Sequence, residues 1–299
     1  MNKKHLVQFL LLDENFDGAV RATLDNWNGL AYRIPRLRLN DYADRNELSF
    51  SGVYLLFGKE EATDEDAVYI GQAQERQVGG SILNRLSEHN RSPSKAFYNE
   101  VVFFTSATNS FGPTELCYLE NQFYEMAKSS GRYVIKNQEM PSPGNVTESR
   151  QVELDRYIEN ALILIRGFGY RVFEPKVSKE SRKEKAEDRR FFLPRMIHKK
   201  YRVQGEAIWT ADGFVILKGA VVCMENRPGI LPSMVNRREQ LVERGVLVKE
   251  PSGLYRLKED QIFSSPSSAG SFVLGSSVRG TTEWKTADGR TFAEVSGEV

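Results

Sequence analysis

The sequence has few of the residues that form disulfide frameworks or soft metal clusters. It contains only two cysteines, Cys117 and Cys223, and only three histidines. Two cysteines are too few for a disulfide scaffold or a zinc cluster, and such a low number is typical of proteins in a reducing cytosol. We therefore expect a cytoplasmic protein.

Long hydrophobic runs are also absent from the sequence. Its first apolar stretch, Leu6 to Leu12, ends at Asp13-Glu14-Asn15. This stretch is too short to span a membrane and is not followed by a small-residue cleavage site, so it predicts a strand rather than a signal peptide. A membrane is not an expected partner.

A strong excess of one charge is missing as well. The 299 residues include 41 Lys and Arg against 40 Asp and Glu, for a formal net charge of +1. Contacts with nucleic acid would therefore have to come from local patches. The largest local excess is in residues 174–202, where eleven basic residues face five acidic ones. The part from Lys176 to Arg202 is either a solvated linker or a phosphate-binding segment, and the sequence does not distinguish the two.

Two short runs rich in β-branched and aromatic residues predict a pair of strands. They are Ser51 to Gly58 and Ala67 to Gly71, and the acidic stretch Lys59 to Asp66 between them predicts a solvated loop. The two strands should therefore be antiparallel. Side chains alternate between the faces of a strand, which allows Tyr54 and Tyr69 to approach each other.

Helical patterns and one further strand follow. Residues Gly80 to Asn90 predict a helix that carries Arg85 and His89 one turn apart. Glu100 to Thr105 predicts a strand, and Pro113 begins a helix that should continue to about Lys128. Glu120 lies at the edge of the apolar stripe of that second helix, where a carboxylate can reach a cleft.

These features, in this order, resemble the GIY-YIG nuclease domain. The resemblance depends on Gly52-Val53-Tyr54, Tyr69-Ile70-Gly71, the helix with Arg85 and His89, Leu119-Glu120-Asn121 and Lys136-Asn137. It implies a mixed α/β (α+β) chain whose core is a small antiparallel sheet flanked by helices. It also implies hydrolysis of phosphodiester bonds by in-line attack of water.

The resemblance implies a role for each polar residue of the tyrosine and arginine motifs. One of Tyr54 and Tyr69 would orient or deprotonate the attacking water. Arg85 would supply the positive charge that a phenol of ordinary pKa near 10 requires, and would hold the scissile phosphate. His89 would assist the phosphate or the proton transfer. The structural alternatives are packed strand tyrosines, a solvated arginine and an ordinary surface histidine.

The resemblance also implies a metal site. Glu120 would be the single protein ligand of Mg²⁺ or Mn²⁺, with Glu115 and Glu125 on the same helix as rivals. Asn137 would close the site by hydrogen bonding. Gln72 departs from the repair nucleases of the family, which have a lysine at that position, so any help in forming the base must come from elsewhere.

The remaining patterns suggest four domains or segments. They are a β-rich annex at 1–48, which includes a helix from Arg36 to Arg45, the nuclease domain at 49–147, a helix and charged linker at 148–203, and an α+β module at 204–299. The annex and the last module each resemble extensions that accompany GIY-YIG domains. The module, in which we predict a final hairpin from Trp284 to Val295, has no established activity and would recognise substrate or bind a protein partner.

The resemblance favours a bacterial endonuclease that acts on nucleic acid, with DNA favoured over RNA because most of the family cut DNA. The main alternative is a nucleic-acid-binding or regulatory protein on an inactive nuclease scaffold. Four intact residues argue against the alternative: Tyr54, Tyr69, Arg85 and Glu120. Repair, restriction, mobile-element and defence roles all remain open.

Overall fold

The computed structural model describes residues 4–14, 17–74, 82–83, 85–86, 95–176, 189–197, 201–210 and 213–297. The chain divides into two compact units, Met1–Glu61 with Glu65–Glu174 and Ala62–Asp64 with Pro175–Val299. Each unit has its own sheet, helices and buried core. The predicted mixed α+β class is confirmed.

A seven-stranded sheet forms the centre of the first unit, in the order β1-β2-β3-β6-β4-β5-β7. Its strands are β1 (Val7–Leu11), β2 (Val20–Leu24), β3 (Gly29–Pro35), β4 (Gly52–Lys59), β5 (Asp66–Ala73), β6 (Tyr98–Ser106) and β7 (Val134–Ile135). Neighbouring strands are antiparallel except β5 and β7, which are parallel. Because β3 pairs with β6, the strands assigned to the annex extend the same sheet as β4 and β5.

Two long helices cover one face of this sheet. They are α1 (Pro113–Ser130) and α2 (Glu148–Gly167), and both were predicted. Their apolar side chains share a core with alternate residues of the central strands, among them Leu55, Val68 and Ile70. The side chains between these, including Tyr54 and Leu56, belong to a separate core on the other face. The alternation predicted from the sequence is therefore present.

The segment before β4 differs from the prediction. Instead of a helix from Arg36 to Arg45, two 3₁₀-helices occur, at Arg36–Tyr42 and Asn46–Ser49. Leu37 and Leu39 are two residues apart, so a single α-helical face would not bury both. Leu39 is buried, whereas Leu37 is 96% exposed.

The predicted helix of residues 80–90 is described only in part. Ile82, Leu83, Arg85 and Leu86 are helical, and Ile82 and Leu86 are buried as the pattern predicts. His89 lies outside the described residues.

A second sheet organises the second unit, in the order β12-β13-β11-β9-β10-β14, with β8 paired to β9. Its strands are β8 (Arg190–Ile197), β9 (Tyr201–Thr210), β10 (Gly213–Ile216), β11 (Val221–Val222), β12 (Leu247–Lys249), β13 (Tyr255–Leu257) and β14 (Gln261–Phe263). Its helices are α3 (Pro232–Glu243), α4 (Pro266–Leu274), α5 (Gly280–Glu283) and α6 (Phe292–Ser296). Trp284 and Phe272 are fully buried in its core.

Two predictions for this unit were wrong. The charged linker does not extend through residues 190–197, which form β8, because Phe191 and Leu193 alternate into the core. The final hairpin is also absent beyond isolated bridges at Lys285. The end of that segment is α6 instead, because Thr291 and Glu294 form a capping box that starts a helix.

Candidate functional site

The two motif tyrosines lie side by side on one face of the first sheet. Tyr54 on β4 pairs in register with Gly71 on β5, so Tyr69 is its diagonal neighbour. The two ring centroids are 6.2 Å apart. Tyr54 is fully buried, whereas Tyr69 is only half-buried. Tyr69 is therefore the tyrosine that a water molecule can reach.

Gly71 makes this arrangement possible. A Cβ atom at position 71 would lie 2.5 Å from the hydroxyl oxygen of Tyr54 and 2.9 Å from the ring of Tyr69. Both distances are far below van der Waals contact. The glycine leaves the space that the Tyr54 hydroxyl occupies between the strands.

Arg85 extends the tyrosine pair into a chain of hydrogen bonds. Its side chain is exposed at the helical segment but donates a hydrogen bond to Tyr54, whose hydroxyl donates in turn to the oxygen of Tyr69. Each donated hydrogen bond favours negative charge on the oxygen that accepts it. Through these hydrogen bonds, the Arg85 guanidinium favours negative charge on the hydroxyl oxygen of Tyr69.

Burial affects the pKa of each tyrosine more than these hydrogen bonds do. Burial raises the pKa of Tyr54 far above its usual value, against the opposing effect of Arg85. Burial and the charge of Glu120 raise the pKa of Tyr69, while Arg85 and the hydrogen bond from Tyr54 lower it. At neutral pH the phenolate of Tyr69 is therefore a minor species.

Glu120 on α1 is partly buried and is held by Gln72 on β5. The Nε2 atom of Gln72 donates to Oε2 of Glu120 at 2.9 Å and lies 3.4 Å from the sulfur of Cys117. Burial raises the pKa of the Glu120 carboxyl, and the hydrogen bond from Gln72 and the charge of Arg85 lower it. Gln72 thus positions the carboxylate.

The two rival glutamates on α1 lie in other surroundings. Glu115 accepts a hydrogen bond from the backbone N–H of Gly112 at 3.1 Å and pairs with Arg150 at 3.2 Å, so its carboxylate holds the start of the helix. Glu125 is not among the residues that line the cleft described below. Only Glu120, of the three, faces the cleft.

Asn137 uses its side-chain amide to extend the pairing of β5 and β7. Its Oδ1 accepts from the backbone N–H of Ile70 at 3.0 Å, and its Nδ2 donates to the Ile70 carbonyl at 2.8 Å. Ile70 separates Tyr69 from Gly71, so Asn137 holds the strand on which the tyrosine lies. The Asn137 amide therefore fixes the position of the strand.

A cleft of about 570 Å³ opens beside these residues. It is lined by Tyr69, Lys95, Glu120, Lys136, Asn137 and the loop from Gln138 to Ser142. The buried Asn121 donates to the Pro141 carbonyl at 2.8 Å and so fastens that loop to α1. Tyr69 and Glu120 therefore line the same cleft. One wall of the cleft is the loop that Asn121, the neighbour of Glu120, holds in place.

Lys95 is the lining residue that sequence reasoning missed. Its ammonium nitrogen lies 3.0 Å from the centroid of the Tyr69 ring. Burial, and after it the charges of Lys136 and Arg85, lower the pKa of Lys95 to about 8. A single lysine between two predicted elements has no periodicity or motif, so only the fold reveals the contact.

The donor set around Glu120 fits a hard divalent cation. Within the described ranges, no group of three or more His, Cys, Asp and Glu side chains could hold a metal ion. A single carboxylate suits Mg²⁺ or Mn²⁺, which keep several waters and use phosphate oxygens as further ligands. The buried Oε1 atom of Gln72 also accepts no hydrogen bond from any described residue. The amide that holds Glu120 therefore has an oxygen that could serve as a further ligand.

Comparison with known proteins identifies only the C-terminal part of the chain. Residues 196–296 match the profile of a domain of unknown function (DUF4357). The predicted C-terminal module of unknown function is thus confirmed. A search of curated proteins found no match. A search of solved structures also found none.

Among the helices of the described residues, none is both long enough and apolar enough to cross a bilayer.

Proposed function

We propose that this protein is a divalent-metal-dependent endonuclease of the GIY-YIG type, which hydrolyses phosphodiester bonds of DNA in the bacterial cytoplasm. The observation that carries the proposal is the hydrogen-bond chain from Arg85 through Tyr54 to Tyr69, which ends in the cleft that Glu120 lines. In this arrangement Tyr69 and Glu120 line one cleft, and Arg85 is connected to Tyr69 through the hydroxyl of Tyr54. A general base, a cation beside the phosphate and a carboxylate that holds a metal ion each promote phosphodiester hydrolysis.

The tyrosine chain supports a division of roles. Tyr69 accepts the proton of the attacking water, because it is the tyrosine that is exposed to the cleft. Tyr54 is buried and donates to Tyr69, so it stabilises negative charge on the Tyr69 oxygen rather than reacting itself. Arg85 is exposed enough to contact a phosphate oxygen while it still donates to Tyr54.

The position of the Glu120 carboxylate supports the proposed requirement for a divalent metal ion. Gln72 holds one oxygen of Glu120 and so fixes the direction of the carboxylate. A divalent ion bound there would add positive charge beside the phosphate oxygens during attack.

The decisive experiment compares two glutamates of α1. Wild type, Glu120→Gln and Glu125→Gln would be tested for cleavage of supercoiled plasmid and of branched and single-stranded oligonucleotides with Mg²⁺ or Mn²⁺. We expect Glu120→Gln to lose at least ~100-fold in rate, since a bound metal contributes several kcal/mol to transition-state stabilisation. Glu125→Gln, outside the cleft, should cleave as wild type does.

Two results would reject the proposal. One is the absence of metal-dependent cleavage of every substrate by the wild-type protein. The other is cleavage that Glu120→Gln leaves intact. Nucleic-acid binding without cleavage, unaffected by Glu120→Gln, would support the alternative of a binding protein on an inactive scaffold.

A further inference from the structure

Two other cationic groups lie near Lys95. The charges of Lys136 and Arg85 both lower the pKa of Lys95, so each is close enough to repel its ammonium group. Lys136 has a carboxylate partner, Glu60, at 2.7 Å. Lys95 has no carboxylate within ion-pair distance among the residues that the structure describes. A partly buried positive charge is costly unless an anion binds it.

Lys95 lies close to the groups that we propose to react. Its ammonium group lies against the ring of Tyr69, in the same cleft as Glu120. The ring holds the flexible lysine chain through a cation–π contact and leaves ammonium protons available to other acceptors. An anion bound there would lie next to the hydroxyl of Tyr69.

We infer that Lys95 binds a backbone phosphate of the nucleic-acid substrate and places it beside Tyr69. This inference rests on the proposed function and adds a residue that the motif resemblance does not include. The ligand is a phosphodiester, because its single negative charge matches the ammonium and its oxygens accept the protons. With a pKa of about 8, the ammonium is mostly charged at neutral pH.

The test is a binding measurement that requires no catalysis. Fluorescence anisotropy of a labelled oligonucleotide, without divalent metal and at several salt concentrations, would compare wild type with Lys95→Met, Lys95→Arg and Lys128→Met. Lys128 is a matched control, because it is an exposed lysine 5.8 Å from the ring centroid of Tyr124, away from the cleft lining. Thermal melting would establish that each variant is folded.

The inference predicts a defined pattern of affinities. Lys95→Met should weaken binding by about tenfold and reduce the slope of log Kd against log salt by about one, because one phosphate contact is lost. Lys95→Arg should retain most of the wild-type affinity and salt slope, since it keeps the positive charge. Lys128→Met should match wild type.

Several outcomes would overturn the inference. Unchanged affinity and salt slope for a folded Lys95→Met would mean that the lysine only packs on Tyr69, and so would a loss that Lys128→Met shares. Absence of oligonucleotide binding by wild type would reject the inference together with the proposed function. If Lys95→Met bound the oligonucleotide more weakly than wild type but wild type cleaved no substrate, the nuclease proposal alone would be rejected. The phosphate contact of Lys95 would still be supported.

Discussion

Tyr54 and Tyr69 have the same side chain but different surroundings, and the difference assigns their roles. Tyr54 is fully buried and lies between Arg85 and Tyr69 in the chain of hydrogen bonds. Tyr69 faces the cleft, where Glu120, Lys95 and the Tyr54 hydroxyl surround it. Loss of either hydroxyl should therefore reduce activity, but with different dependences on pH.

A pair of tyrosine substitutions tests this difference. Tyr69→Phe removes the hydroxyl that we propose as the base and should reduce the cleavage rate by about 100-fold or more at every pH. Tyr54→Phe removes the donor that lowers the pKa of Tyr69, so that pKa should rise. Because the pKa of Tyr69 is raised above the ordinary value near 10 even in wild type, the rate of Tyr54→Phe should be about tenfold low throughout pH 6 to 10 and should rise with pH in parallel with wild type, whereas the rate of Tyr69→Phe should not rise. Single-turnover rates between pH 6 and 10 would provide the comparison.

The control for these substitutions is Tyr124→Phe on α1, which lies outside the residues that line the cleft. It should leave the pH profile unchanged. If the rate of Tyr54→Phe equalled that of wild type over this pH range, the hydrogen bond to Tyr69 would have no part in forming the base.

At the level of elements, the site depends on how closely β4 and β5 approach. The glycine of the second motif lies opposite Tyr54, so the spacing of the two strands leaves room for a hydroxyl but not for a methyl group. Asn137 holds the outer side of β5 through Ile70. The strand is therefore fixed on both sides.

Replacement of that glycine should displace the tyrosine. Gly71→Ala would place a methyl group 2.5 Å from the Tyr54 hydroxyl, so the ring must move and the hydrogen bond to Tyr69 should break. We expect a loss of about 1–3 kcal/mol in unfolding free energy, typical of overpacking, and at least tenfold lower cleavage. Denaturant unfolding and cleavage rates measure the two effects.

The double variant Tyr54→Phe/Gly71→Ala separates the causes. It lacks the hydroxyl but keeps the ring, whose Cζ atom also lies 2.5 Å from the added methyl group. Its stability should stay low if the ring is what collides. Full recovery of stability would indicate that the hydroxyl alone causes the strain.

At the level of the whole molecule, two hydrophobic cores belong to two units. Phe123 is fully buried in the first unit, where its ring stacks with those of Phe104 and Phe173. Phe272 is fully buried in the second unit and packs against Phe263. Because each core is built from the residues of its own unit, we expect each unit to unfold as a cooperative transition of its own.

A matched pair of core truncations tests that expectation. Phe123→Ala and Phe272→Ala should each destabilise one unit by about 3–5 kcal/mol, because each leaves a cavity in a packed core. Calorimetry should show that the two variants lower the temperatures of different transitions. A single transition lowered equally by both variants would contradict the prediction.

The sequence by itself determined most of the elements of the first unit. Alternation in Ser51 to Gly58 and Ala67 to Gly71 predicted a strand pair with its tyrosines together, and apolar spacing predicted α1 and α2. These predictions succeed because side-chain period depends only on local backbone geometry. The same reasoning failed at Arg36 to Arg45, at β8 and at α6. In those places capping or burial outweighed the pattern.

Only the tertiary structure decided what surrounds the site. Lys95 on the Tyr69 ring, Gln72 on Glu120 and Asn137 on Ile70 are contacts between residues far apart in the chain. The motif resemblance pointed to Asn137 but not to its partner, and no sequence pattern predicted the three contacts, since each depends on how two elements come to lie side by side. The sequence therefore predicts which groups are available for chemistry. The fold decides which group touches which, and so which of two identical tyrosines faces the cleft.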